Sequence, residues 1–214
     1  MKWIGNITAL IVIFLFCSAD GCTENSNMAE VIAEKRIMES KDSIRHAFEV
    51  NLPDTRSLSA YEETVKQKLL DFADHLKIAS DSSLDMAFRQ KAAEMSRKLF
   101  LSEGADIAAW NKAYNQDDIE SVKQLNDRSL ASGMSFWIKP NMISIKKPLT
   151  IENDTLFIGC LSFSQLRISY DQGSSPEIIS GMLNADIYLI KRVKYFGAES
   201  LSIWEVFLGD IKTD

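Results

Sequence analysis

Tyr61-Glu62-Glu63-Thr64-Val65-Lys66-Gln67-Lys68-Leu69-Leu70-Asp71-Phe72-Ala73-Asp74-His75-Leu76, followed after a short polar link by Leu84 to Leu99, decides the fold. The first segment carries apolar side chains at Tyr61, Val65, Leu69, Phe72 and Leu76, and the second at Leu84, Phe88, Ala92, Met95 and Leu99. Steps of three and four place each set on one face of an α-helix. Ser59-Ala60-Tyr61-Glu62 and Ser82-Ser83-Leu84-Asp85 have the spacing of capping boxes, in which side chains at both ends satisfy free backbone donors. Two helices with equal stripes and a short polar connection predict an antiparallel hairpin. N-terminal to it, Ile37, Ile44 and Phe48, with Ala33 and Ala47 beside them, predict another helix over about 28–50, ended at Pro53.

On the C-terminal side the pattern changes twice. Ser102-Glu103-Gly104 stops the hairpin, a short helical segment carries Trp110 and Tyr114 one turn apart, and a further helix is expected from Asp117-Asp118 to Gly133. From there the apolar period is that of strands. Phe136-Trp137-Ile138 leads to an expected turn at Lys139-Pro140-Asn141, and Ile143, Ile145, Leu149 and Ile151 alternate up to a turn at Asn153-Asp154. Phe157, Leu161 and Phe163 face inward on the next strand. The apolar parity then shifts to Leu166, Ile168 and Tyr170, which predicts a bulge near Ser162–Ser164. Two more strands, about 181–195 and 200–211, meet at Gly197-Ala198. The expected fold class is α+β: N-terminal helices, including the antiparallel hairpin, packed against a curved, mostly antiparallel sheet of about five strands. The expected organisation is a signal peptide over 1–21, a polar tether over 22–30 and one α+β domain over 31–214, with helices over 31–132 and the sheet over 133–212.

Helices followed by a long, bent antiparallel sheet resemble, over residues 57–211 and by element order, the NTF2-like (cystatin-fold) superfamily. The resemblance implies a cone whose sheet wraps a helix, with a pocket that some members use for catalysis and many for binding or assembly. No acid–base pair of that superfamily is recognisable here, so no site residue follows from it.

The N-terminus speaks about destination. One positive charge at Lys2, an apolar run from Ala9 to Phe16 and the small and polar residues Cys17-Ser18-Ala19-Asp20-Gly21-Cys22 have the anatomy of an export signal. The run is short of the ~20 apolar residues of a comfortable membrane span. Three fates are open. Ala19-Asp20-Gly21-Cys22 resembles a bacterial lipoprotein box, which implies cleavage before Cys22 and lipidation of its thiol. Cys17-Ser18-Ala19 can instead serve as a small-x-small cleavage site that frees a soluble secreted or periplasmic protein. In the third, the segment stays as an anchor. The lipoprotein fate leads, with Ala19 standing where such boxes usually carry Leu.

Composition narrows the function. The chain has 46% hydrophobic and 25% charged residues and a net charge of −6, which suits an ordinary globular protein and supplies no basic face for nucleic acid. Lys191-Arg192-Val193-Lys194 is the densest basic group, and its leading reading is a solvated strand edge rather than a phosphate site. With Cys22 lipidated, Cys160 stands alone in an apolar run and reads as a small buried hydrophobe. His46 and His75 are the only histidines, so no metal centre is expected. No nucleophile elbow and no glycine-rich phosphate loop occurs, and no cofactor is expected. Asp186 and Arg167 are the candidates for acid–base chemistry in a cone, but strand parity sets Asp186 opposite Ile187 and Leu189, on the wet side. Trp110 and Tyr114 are the candidate binding residues, as partner contacts or a lid, with peripheral core as the leading alternative. The reading is a non-catalytic exported envelope protein, held to the membrane through Cys22, that binds a protein partner or an apolar small ligand. An exported NTF2-like enzyme and an uncleaved subunit of an envelope complex are the alternatives, and the oligomeric state is open.

Overall fold

The computed structural model describes residues 28, 30–40, 52–112, 119–132, 137–168, 176–197 and 199–214. The chain divides into two compact units, Met1–Val50 and Asn51–Asp214. In the first, residues 30–40 form helix α1, whose Val31, Ile32, Ile37 and Met38 are exposed. Ile44, His46, Ala47 and Phe48, like Cys22, lie outside the described residues.

The second unit is α+β. Helix α2 spans Thr55–Ser80 and α3 spans Met86–Lys98, and together they form the expected hairpin. The α2 stripe is as read: Val65, Leu69, Phe72 and Leu76 are buried and Tyr61 packs at its margin. Its start is not. The N-cap is Asp54, whose Oδ1 accepts a hydrogen bond from Ser57 N at 2.8 Å. A carboxylate suits the positive end of a helix better than the Ser59 hydroxyl does. Hydrogen bonding from the Ser57 hydroxyl, and then from its backbone N–H, holds the Asp54 carboxyl below its ordinary pKa. Glu62, released from the expected box, accepts from Leu149 N at 2.8 Å and ties α2 to the sheet. Similarly α3 opens on Asp85, which caps Ala87 N at 2.8 Å.

The larger correction concerns the face of α3. Its buried residues are Arg89, Ala92, Ala93 and Ser96, while Leu84, Phe88 and Met95 of the expected stripe are exposed. Ala92 and Ala93 pack with Ala79 of α2, beside Ile78 and Leu130. Small side chains let the helices approach closely. At that distance the Arg89 guanidinium reaches three backbone carbonyls: Ala79 at 2.9 Å, Leu130 at 2.8 Å and Ser129 at 3.3 Å. A buried cation with three carbonyl partners holds the rotation that hydrophobicity alone would not choose.

A short helix, α4 (Ala108–Asn111), follows, then α5 (Val122–Ser132). The described start of α5 is a reciprocal cap: Gln124 N donates to Ser121 Oγ at 3.3 Å, and Ser121 N donates to Gln124 Oε1 at 3.0 Å. Asp117, Asp118 and Gly133, the expected ends, lie outside the described residues.

The sheet contains β1 (Trp137–Asn153), β2 (Leu156–Ile168), β3 (Glu177–Ile178), β4 (Leu183–Phe196) and β5 (Glu199–Thr213). It is antiparallel, in the order β1-β2-β4-β5, with β3 on β2. Pro140 makes no turn. It pairs with Gln165 inside a continuous β1. This is the edge strand, where a missing N–H disrupts no ladder, and Pro148 lies on it too. The bulge expected in β2 belongs to β1. Between Asn141 and Ser144, β1 advances three residues while β2 advances two, and Met142 there has φ 51°. Three further register shifts follow along β1, which makes it 17 residues against 13 in β2. Parity in β2 does not shift: Phe163 is followed inward by Gln165, which is fully buried. At the opposite edge, the first half of the 99–106 segment covers β5, with Leu101 N to Leu208 O at 2.8 Å and Leu208 N to Leu99 O at 3.0 Å.

Candidate functional site

The space between α2 and the sheet is filled. Trp110 is 0% exposed, its ring 5.0 Å from that of Phe72 and 5.9 Å from that of Phe163, and Phe100 closes on Phe72 at 4.8 Å. Leu161, Ile187, Leu189 and Leu208 complete the same core. Trp110 therefore presents no surface to a partner and acts as the keystone of the aromatic cluster, while Tyr114 lies outside the described residues. Beneath the cluster runs a polar seam invisible to periodicity. Gln165 Nε2 donates to Trp110 O at 3.1 Å, and the fully buried Asn111 donates to Ile119 O at 2.7 Å. The first bond fixes α4 against β2 and the second fixes it to the segment before α5, because breaking either would strand a buried amide.

The acid–base candidates are apart from this core. Register pairs Asp186 with Cys160 and sets both on the face opposite Ile187 and Leu189. Asp186 accepts from Lys212 Nζ at 3.0 Å. Arg167 pairs in register with Glu177 of β3. Burial, with Asp186 adding to it, pushes the Cys160 thiol above its ordinary pKa, which keeps it protonated and unreactive. Among the described residues no three His, Cys, Asp or Glu side chains gather as a metal site would require.

What the fold leaves outward is the α3 stripe. Leu84 is 36% exposed, Phe88 56% and Met95 44%; Phe88 and Met95, seven residues apart, lie in one line along α3, and Leu84 lies in the turn that precedes it. Isolated exposed apolar residues are ordinary, but Phe88 and Met95 share one line of a helix that packs on the core side with alanines instead. Fully burying a side chain of this size gains about 1.5–3 kcal/mol, so leaving Phe88 and Met95 about half exposed forgoes about 1.5–3 kcal/mol between them. Beside the stripe, α3 and α5 form an open groove of about 510 Å³ lined by Ala87, Gln90, Lys91, Glu94, Arg97, Asp127 and Leu130. Its charges are largely matched. Arg97 stands 3.7 Å from Asp127 and 3.9 Å from Glu103, and Glu94 takes hydrogen bonds from Lys91 at 2.8 Å and from Lys98. The two lysines hold the Glu94 carboxyl down at a pKa of about 2. An apolar line bordered by paired charges has the layout of a protein-binding face with a polar rim. The residues were visible in the sequence, but as core. Only the buried Arg89, at a position that breaks no apolar period, hinted at the true rotation.

No protein-family model matches the chain, and no curated protein is significantly similar to it.

Proposed function

We propose that this chain is an exported cell-envelope protein, tethered as a lipoprotein through Cys22, whose α+β domain is non-catalytic and binds a protein partner along the outer face of α3. The observation that carries the binding reading is the outward pair Phe88 and Met95 on α3, with Leu84 in the turn before it, left half exposed at a cost of about 1.5–3 kcal/mol for the pair. The filled aromatic core between α2 and the sheet supports it, since it occupies the space that an NTF2-like enzyme would use for substrate. The export signal supports the tether. Among the described residues no helix is long and apolar enough to cross a membrane.

Two measurements test the reading. The intact mass of membrane-extracted protein is expected to show cleavage before Cys22 plus acyl chains, and neither in Cys22→Ser. A mass beginning at Asp20 or Met1 would remove the tether. A photoreactive side chain at position 88 is expected to cross-link one envelope protein in cells, and the same group at exposed Thr150 is not. Equal yields at the two positions would remove the α3 face as the partner site.

A further inference from the structure

Phe207, on the sheet face opposite the aromatic core, is buried beneath two cations from different elements. Lys68 Nζ of α2 lies 4.9 Å from the ring centroid, and Arg192 Cζ of β4 lies 4.3 Å from it. Both cations stand over one ring, and Arg192 and Lys194 both act electrostatically on Lys68. Neither has a carboxylate within ion-pair distance among the described residues. The adjacent Glu205 is held by Lys194 at 3.4 Å, and Asp71, on the next turn of α2, accepts from Gln67 at 2.8 Å. Glu205 and Asp71 both act on Lys68, so three cations stand against two carboxylates. Lys68 is also partly desolvated, and burial holds its ammonium below the ordinary lysine pKa despite Glu205.

Like charges held together beside a ring and short of counter-charge form a site prepared for an anion. We infer that Lys68, Arg192 and Lys194 bind a phosphoryl group over the edge of Phe207. The excess of positive charge favours an anion. The Arg192 fork can take two of its oxygens while Lys68 and Lys194 act as point charges. Register places Ile190 opposite Glu205, Ile203 opposite Arg192 and Leu201 opposite Lys194, and all three are half-buried on this face. The phosphate therefore sits at the border of an apolar strip, which suits either a free phosphate or the head of an amphipathic phosphate ester. Arg192 and Lys194, alternate members of the Lys191–Lys194 run, are half of the site. The other half, Lys68, lies more than a hundred residues earlier in the sequence.

The test is calorimetric titration of the full-length protein in detergent with inorganic phosphate, at constant ionic strength in chloride. Saturable binding is expected, weakened at least about tenfold in Lys68→Met and in Arg192→Gln, because each removes a charge-assisted contact. Lys68→Met keeps an apolar stem against Phe207, so folding is preserved, and unchanged melting temperatures would verify this. The exposed Lys98→Gln is the control and is expected to bind like wild type. A short-chain phosphatidic acid then separates the sources. Affinity well above that for inorganic phosphate, lost in the same variants, assigns an amphipathic phosphate; equal affinity assigns a free one. No binding beyond chloride, or binding equally strong in both site variants, would overturn the inference.

Discussion

Gly159 stands where β2 passes closest to the bulged part of β1. A methyl group there would lie 2.9 Å from Lys147 O, 3.2 Å from Leu149 N and 3.3 Å from Pro148 C. All three are backbone atoms, which cannot swing aside as a side-chain tip can. Gly159→Ala is therefore expected to cost about 1–3 kcal/mol through overpacking. Gly181→Ala, with nothing within 4 Å of the added carbon, should stay level or gain up to about 1 kcal/mol from a stiffer unfolded chain. Urea melts of the two variants beside wild type check this, and equal midpoints would show that β1 yields at its bulge. The glycine was plain in the sequence as an interruption of an apolar run. Its reason was not, because the atoms it makes room for belong to register shifts in another strand.

At the scale of elements, α3 is held by Arg89 more than by its apolar residues. The guanidinium sits at the C-terminal ends of α2 and α5, where free carbonyls and the negative ends of two helix dipoles gather. Arg89→Met keeps most of the volume and removes the donors. A loss of about 3 kcal/mol, or a fall in Tm of about 10 °C, is expected. A melting temperature within about 2 °C of wild type would mean that the alanine contacts alone set the rotation. On the outer side of the same helix, Glu94 gives a pH signature. Its folded pKa is depressed, from 4.5 to about 2, by hydrogen bonds from Lys91 and Lys98. The triad's contribution is therefore full above pH ~4.5, fades as the pH falls toward 2 and is absent below it. Thermal melts between pH 2 and 6 should show a shallower acid slope in Glu94→Gln than in wild type. High salt should narrow the gap, since the triad is at the surface. Sequence period found α2, β4 and β5 because their burial follows a simple period, and it found α3 as a helix through an apolar line that lies outside. It misread the face of α3 and the inward side of β2 because Arg89 and Gln165 are buried polar residues, chosen by backbone partners far along the chain. It read Pro140 as a turn because an edge strand tolerates a proline that a central strand would reject.

For the molecule as a whole, the question is which phenylalanines hold the fold and which serve something beyond it. Phe72 is fully buried and touches both Phe100 and Trp110, whereas Phe88, on the neighbouring helix, is 56% exposed. A sequence reading gives the two the same role, each as the apolar residue in the middle of an equal stripe. The structure assigns them opposite ones, and stability separates the cases. Phe72→Ala should cost about 3–5 kcal/mol, the range for an aromatic removed from a packed core. Phe88→Gln should move stability by no more than about 0.5 kcal/mol, as surface changes do. Met95→Gln should behave like Phe88→Gln, and the double variant should be additive, because neither side chain is buried. Chemical denaturation of the four variants, followed by far-ultraviolet circular dichroism, makes the comparison. A loss of several kcal/mol from Phe88→Gln would place that ring inside the fold and remove the outward stripe on which partner binding rests. A neutral result leaves an apolar line whose burial the chain itself does not supply, as the proposed partner site requires.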